Sequence, residues 1–328
     1  MSIDRALPGG SWNNRRLLNK SIKKCWRMKI ITDDDIKALK IPATRCIEWV
    51  EESFKMKSQS QLPPKISLHP QEDDFFNTMP CILPKEYHTF SVKIVNRIRG
   101  NHPALKSKLS LFDTTTGSML ALMDANWITN MRTGAVAALA IKIFRKRNAR
   151  VFALMGLGEI AHSTMQCIIA SFKHEQLYIK LLKYKDQAAS FAYTYQKVSN
   201  LHFTIVNTMD DFIKGSDVII SCITSADGIL EPKNNLFKPG VLVLPIHTRG
   251  FQNCDLFFDK VFADDRGHVK DFKYFDRFKY FDEIGNVLLC KSKGRENDAE
   301  RILSYNIGLG LHDAVFAYKI YNMIENVE

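Results

Sequence analysis

The segment Met155-Gly156-Leu157-Gly158-Glu159-Ile160-Ala161 constrains the fold of this chain more than any other. It follows the apolar run Val151–Met155, which reads as a buried strand, and opens an amphipathic stretch that reads as a helix over Glu159–Phe172. Glycines at such a junction let the backbone turn tightly and approach a pyrophosphate, whose charge the helix N-terminus stabilises. Alanine is a permitted third member of the spacing. The G-x-G-x-x-A pattern recurs by chance in many chains. Between a strand and a helix it predicts a dinucleotide-binding turn, with Gly156, Gly158, Glu159 and Ile160 at the cofactor.

The flanking sequence fits that turn. Leu177–Leu182 reads as a strand, Asp186–Val198 as a helix, and His202–Val206, Val218–Cys222 and Val241–Leu244 as further strands. Strands alternating with helices predict an α/β fold with a Rossmann-type, doubly wound parallel sheet. Before it, the runs Phe90–Val95, Leu109–Asp113 and Ser118–Met123 suggest an antiparallel sheet, the last two joined as a hairpin through Gly117. Asp33-Asp34-Asp35 can cap a first helix, a second runs from about Pro42 to Lys57, and an Ala-rich helix is expected over Asn126–Phe144. Residues 58–88 read as a loop with one strand near Lys65–Leu68. Residues 272–282, FKYFDRFKYFD, duplicate a short phrase and suit either an exposed aromatic hairpin or a domain-crossing segment. A final helix is expected over about Gly308–Glu325.

Composition narrows the function classes. The net charge is +11, but seven of the 46 Lys and Arg residues fall in the first 27 positions beside one acid, leaving +5 for the rest. No nucleic-acid motif accompanies so mild a bias, and no nucleic-acid partner is expected. The basic start lacks an obvious apolar face and reads as an upstream extension rather than a transit peptide. No apolar run approaches the roughly 18 residues of a membrane span, so no membrane partner is expected. Seven dispersed cysteines form no C-x-x-C pair and the nine histidines no H-x-x-x-H, so neither a disulfide framework nor a metal site is expected. These features suit free thiols in a cytoplasmic protein.

The second strand of the nucleotide half ends in Leu182-Lys183-Tyr184-Lys185. A site for NAD usually places an acid there for the ribose hydroxyls. Lysines can instead pair with a 2′-phosphate, so Lys183 and Lys185 point to NADP(H) as the preferred cofactor, with NAD(H) possible. The bland reading is that both simply face solvent.

Four blocks in order resemble the ornithine cyclodeaminase/mu-crystallin family over roughly Met28 to Glu325. They are Phe90-Ser91-Val92-Lys93, the block from Leu111-Phe112-Asp113 to Met131-Arg132-Thr133-Gly134-Ala135, the glycine turn, and Gly294-Arg295 to Asn306-Ile307-Gly308-Leu309-Gly310-Leu311-His312-Asp313. The resemblance implies a discontinuous α+β substrate and dimerisation domain, residues 28–144 and 285–328, around a Rossmann domain, residues 145–284, and a homodimer. It also implies roles. Lys93 and Arg132 are similar to the family's substrate-carboxylate ligands, and Lys65 looks like a third. Arg132, Thr224 and Ile246 resemble cofactor-contacting positions. Two fixed cations in a cleft suit an amino-acid carboxylate, and a cation at the start of a helix gains nothing from the dipole, which favours a ligand role for Arg132.

The departures from the family bear on the reaction. Cyclodeaminases carry an acid just before the Met-Pro pair, where this chain has Asn77-Thr78-Met79-Pro80, and an aspartate after a later strand, where Arg249 falls. A position usually Thr or Ser near the cofactor is Ala104. An amide and a guanidinium cannot act as general bases near neutral pH. The expectation is therefore an NAD(P)-dependent oxidoreductase that reduces an imine or oxidises an α-amino acid, with His247 or Lys93 as the acid/base. An ornithine cyclodeaminase using bound NAD and a non-catalytic nucleotide-binding protein are the alternatives.

Overall fold

The computed structural model describes residues 28–71, 74–103, 105–223, 233–246 and 256–326. The basic start, Ala104, Thr224, His247 and Arg249 lie outside the described residues.

The first sheet has six strands: β1 Lys29–Ile31, β2 Ile66–Leu68, β3 Phe75–Ile82, β4 Thr89–Arg97, β5 Leu105–Asp113 and β6 Met119–Asp124, in the order β1-β6-β5-β4-β3-β2. Only β1 and β6 run parallel; the other neighbours are antiparallel. Alternation along the strands turns Ile31, Cys81, Leu109, Leu111, Ala121 and Met123 toward the helices Ala43–Met56, Asn126–Phe144 and Gly310–Glu325. Thr32, rather than the three aspartates after it, caps the first helix, in a capping box with Asp35. The opposite face is apolar and open: Ile30 is 70% exposed, Leu68 65% and Ile66 58%, with Phe76, Ile94 and Leu122 beside them.

The loop expected over residues 58–88 is corrected by β3, which pairs with β4 along its whole length. Pro80 disguises it. Its missing N–H costs nothing here, because β2 pairs only with the Phe76–Thr78 end of β3.

The second sheet holds β7 Val151–Met155, β8 Leu177–Leu182, β9 Leu201–Val206, β10 Val218–Ser221, β11 Leu242–Pro245, β12 Lys260–Ala263, β13 Phe281–Glu283 and β14 Ile302–Tyr305. The order is β13-β12-β14-β11-β10-β7-β8-β9 and every pairing is parallel. The Rossmann-type reading therefore holds. The chain lays β8 and β9 on one side of β7 and β10 on the other, which opens a crevice at the carboxyl ends of β7 and β10. β14 falls outside the 145–284 division yet sits inside this sheet, between β11 and β12. The aromatic repeat forms no hairpin. It makes a 3-10 turn at Phe275–Arg277 and enters β13, while Phe272, Phe275, Phe278 and Phe281 pack on a second apolar core.

Candidate active site

The glycine turn lies in that crevice. Gly156 has φ +76°, and a Cβ there would stand 2.5 Å from the backbone at Cys222 and Ile223, just beyond β10. Only a residue without a side chain lets the strands' ends approach so closely. At Gly158, by contrast, a Cβ would meet nothing within 4 Å, so space lies open over the first turn of the 13-residue helix Glu159–Ser171. These residues fit a pyrophosphate. Ala161 is fully buried, as the small third member of the spacing must be, and Ile160 is half-buried while Glu159 is exposed. Ile246 follows β11, nearly buried, its N–H donating to the Ser221 carbonyl at 2.9 Å. Lys183 and Lys185 both stand exposed at the end of β8, and the Lys185 ammonium lies 5.4 Å from the centre of the Tyr184 ring.

Helix packing couples the glycine turn to Arg132. Gly134, two residues after Arg132, lies so close to the next helix that a Cβ would stand 2.6 Å from the Ser163 backbone. The helix that carries Arg132 is thus locked against the helix that follows Gly158.

Lys93 and Arg132 come together on one acid. Lys93, in the middle of β4 and fully buried, donates from Nζ to Asp313 Oδ1 at 2.7 Å. Arg132 donates from Nε to the same oxygen at 3.1 Å. No hydrogen bond among the described residues uses the Arg132 Nη groups, and Asp313 Oδ2 is likewise unpartnered. Gly308, at φ +97°, lies flat against the guanidinium, where a Cβ would come within 1.8 Å of Nη1. Burial, and then the charge of Arg132, push the Lys93 ammonium down to about 7 against the pull of Asp313. Burial pushes the Asp313 carboxyl up, but Lys93 and Arg132 outweigh it and hold the acid below its ordinary value. Asp313 is therefore an ionised counter-ion to two cations and balances one of their two charges.

Beside this pair is a cleft lined by Lys65, Met79, Pro80, His268, Leu309 and Gly310. Met79 is paired with Lys93 across β3 and β4, and Gly308 on Arg132 leads directly into Leu309 and Gly310. Lys65 is half-buried, and its ammonium is held below the ordinary value by burial; Asp264 opposes the shift and Arg132 adds to it. Asn77 stands two residues from Met79, its Oδ1 buried without a hydrogen-bond partner among the described residues. Thus Lys65, Lys93 and Arg132 gather at one site and Gly156 and Gly158 at the neighbouring turn, while Thr224 and His247 lie outside the described residues. Asp313, Asp264 and His268 were missed as site residues by sequence reasoning. Asp313 had a signal, its place in the quoted C-terminal block. Asp264 and His268 had none.

The family model for the ornithine cyclodeaminase/mu-crystallin family matches residues 28–328. The nodulation efficiency protein NfeD of Rhizobium meliloti is 23% identical over 89% of this chain and 94% of its own. Among solved structures, the Delta(1)-pyrroline-2-carboxylate reductase of Thermococcus litoralis, in complex with NADH and L-proline, superposes with a TM-score of 0.79 at 21% identity, covering 91% of this chain and 98% of that one. An archaeal alanine dehydrogenase dimer with bound NAD gives 0.78 at 22% identity, covering 91% and 97%. At these identities the superpositions establish the fold.

Proposed function

Because the chain belongs to the ornithine cyclodeaminase/mu-crystallin family, we propose that it is a nicotinamide-dependent oxidoreductase that reduces an imine bearing a carboxylate, or oxidises the matching α-amino acid. The observation that carries this reading is the meeting of Lys93 and Arg132 on Asp313, beside a turn shaped for a dinucleotide. In it, Lys93 and Arg132 receive the substrate carboxylate, Arg132 through Nη groups that no described residue engages, and Lys65 adds a third cation in the cleft lining. Gly156, Gly158 and the start of the following helix hold the dinucleotide, with Thr224 and Ile246 as the further cofactor-contacting positions that the family resemblance implies. When bound, the nicotinamide supplies or accepts the hydride. Asn77 cannot take the proton that a cyclodeaminase must move, which favours hydride transfer over deamination. The pyrroline-2-carboxylate reductase and the alanine dehydrogenase are relatives whose names are consistent with small amino-acid or imine substrates.

The finer cofactor reading is NADP(H) over NAD(H). It is supported by two exposed lysines and no acid at the end of β8. A fluorescence titration should show NADPH binding roughly tenfold tighter than NADH, the worth of about 1.4 kcal/mol from a charged contact. The Lys183→Ala/Lys185→Ala variant should lose that difference. Turnover of a cyclic imine carboxylate, read by nicotinamide absorbance, should fall at least 100-fold in Lys93→Ala and Arg132→Ala. NADH bound more tightly than NADPH would sink the cofactor preference, and unchanged turnover in both alanine variants would sink the site.

The reading includes a homodimer in the cytoplasm. No described helix is long and apolar enough to cross a membrane. The open face exposes six large apolar side chains, Ile30, Ile66, Leu68, Phe76, Ile94 and Leu122, and a second copy of the same face is the occupant we assign to it. Sedimentation should give a dimer for the natural chain and a monomer for Ile94→Asp/Leu122→Asp. A monomer at micromolar concentration in both would refute the assembly.

A further inference from the structure

The cleft has a second polar wall that takes no part in holding the carboxylate. Asp264, fully buried immediately after β12, accepts a hydrogen bond at Oδ2 from the Gly308 N–H. Its Oδ1 has no hydrogen-bonded partner among the described residues, and His268 Nδ1 stands 3.5 Å away, itself unpartnered. His268 sits on the short 3-10 turn Arg266–His268, which Asp265 caps through the Gly267 N–H at 2.6 Å. Its side chain is only 7% exposed, yet it lines the cleft beside Lys65. A carboxylate facing Nδ1 selects the tautomer with the proton on that nitrogen and leaves Nε2 for whatever enters the cleft.

We propose that His268 is the catalytic acid of this site and that Asp264 is its positioning residue. The assignment rests on the imine-reductase reading above. It separates two tasks that Lys93 cannot perform together, since Lys93 is already committed to Asp313 and to the incoming carboxylate. In the step, the Nε2–H bond of the His268 imidazolium breaks and an N–H bond forms at the imine nitrogen. The C=N group becomes an iminium and the ring becomes neutral imidazole. No electrons change hands in this proton transfer; a bound reduced nicotinamide would supply the hydride for the iminium carbon, and solvent would reprotonate the ring.

Several charged groups face this dyad. Lys65 lines the same cleft, and Asp265 lies beside His268 with Lys57 bound to it at 2.6 Å. His312 lies within electrostatic reach of the Asp264 carboxylate, but burial pushes its imidazole down to about 3, so it is neutral over this pH range. Burial pushes the Asp264 carboxyl up, but His268 and the Gly308 amide hold it below its ordinary value, which keeps it ionised as the dyad requires.

The test uses the full chain with Delta(1)-pyrroline-2-carboxylate as the probe imine, across pH 6 to 9. His268→Asn should lower kcat about 100-fold while KM and the cofactor Kd stay within about threefold, and should lose the alkaline limb of the kcat profile. Asp264→Asn keeps an acceptor for the Gly308 N–H. It should lower kcat about tenfold and move the alkaline limb to lower pH, because the imidazolium loses its counter-ion. An independent readout is the His268 ring resonance by NMR, which should shift when L-proline is added with oxidised cofactor. A His268→Asn enzyme with unchanged kcat and pH profile overturns the acid role and leaves the reductase reading standing. A natural chain that reduces no imine, though its His268 resonance responds to L-proline, overturns the reductase reading and the acid role together.

Discussion

Replacing Asp313 by asparagine should destabilise the protein by about 3–5 kcal/mol, the cost of leaving buried charges without their partner. The change is nearly isosteric, so the loss is electrostatic rather than a packing defect. Asp313 is fully buried and its Oδ1 receives both Lys93 and Arg132, themselves almost entirely removed from solvent. Without it, two cations share a low-dielectric interior. The pH dependence gives a second check. Lys93 titrates at about 7 in the fold, whereas an unfolded lysine titrates near 10.4. Between those values the unfolded chain binds more protons than the folded one, so the Lys93 contribution makes stability rise with pH from about 7 to about 10. Removing Asp313 lowers the folded value further and extends the window to lower pH. The loss relative to the natural chain should therefore shrink as pH rises toward 7 and stay constant from there to pH 9. Urea unfolding at several pH values measures both effects. A midpoint unchanged at pH 7 would mean that the two cations have another counter-ion.

The same residue shows where sequence reading succeeds and where it stops. Val151–Met155 and the helix after it were legible because a fully apolar run, two glycines and a 3.6-residue period all agree on one local structure. The helix Asn126–Phe144 was legible for a similar reason, being long and rich in alanine. The short strand Ile302–Tyr305 was not: four buried residues carry neither alternation nor a helical period, and only the neighbours β11 and β12 make them a strand. β3 was hidden by Pro80, whose tolerance depends on where β2 ends. Lys93 and Arg132 were legible as cations in blocks resembling a family. That Asp313 sits between them is a fact of the fold, since it lies 220 residues from one and 181 from the other. The Asp264–His268 dyad is close in sequence, but its relevance depends on the cleft beside it, which residues 62–65, β3, the turn after β12 and the start of the last helix build together.

Gly308→Ala should cost at least 100-fold in kcat/KM, because the added methyl lands on the guanidinium proposed to hold the substrate carboxylate. The new Cβ would stand 1.8 Å from Arg132 Nη1, 2.6 Å from Cζ and 2.9 Å from Nη2. Something must move, and the Arg132 side chain is the freer party, since the Gly308 N–H is fixed to Asp264. A shift of about 1 Å in a substrate-positioning group is enough for such a loss. The substitution also strains a backbone at φ +97°, at a cost of about 1–2 kcal/mol. Gly117→Ala separates the two effects. Gly117 has φ +71° in the hairpin turn, and a Cβ there meets nothing within 4 Å. It should lose stability by a similar amount with kcat/KM unchanged. If Gly308→Ala loses no more activity than Gly117→Ala, the close fit of Gly308 against Arg132 has no functional consequence. If only Gly308→Ala loses substrate affinity while both bind the dinucleotide normally, the guanidinium is confirmed as the substrate's anchor rather than a strut of the fold.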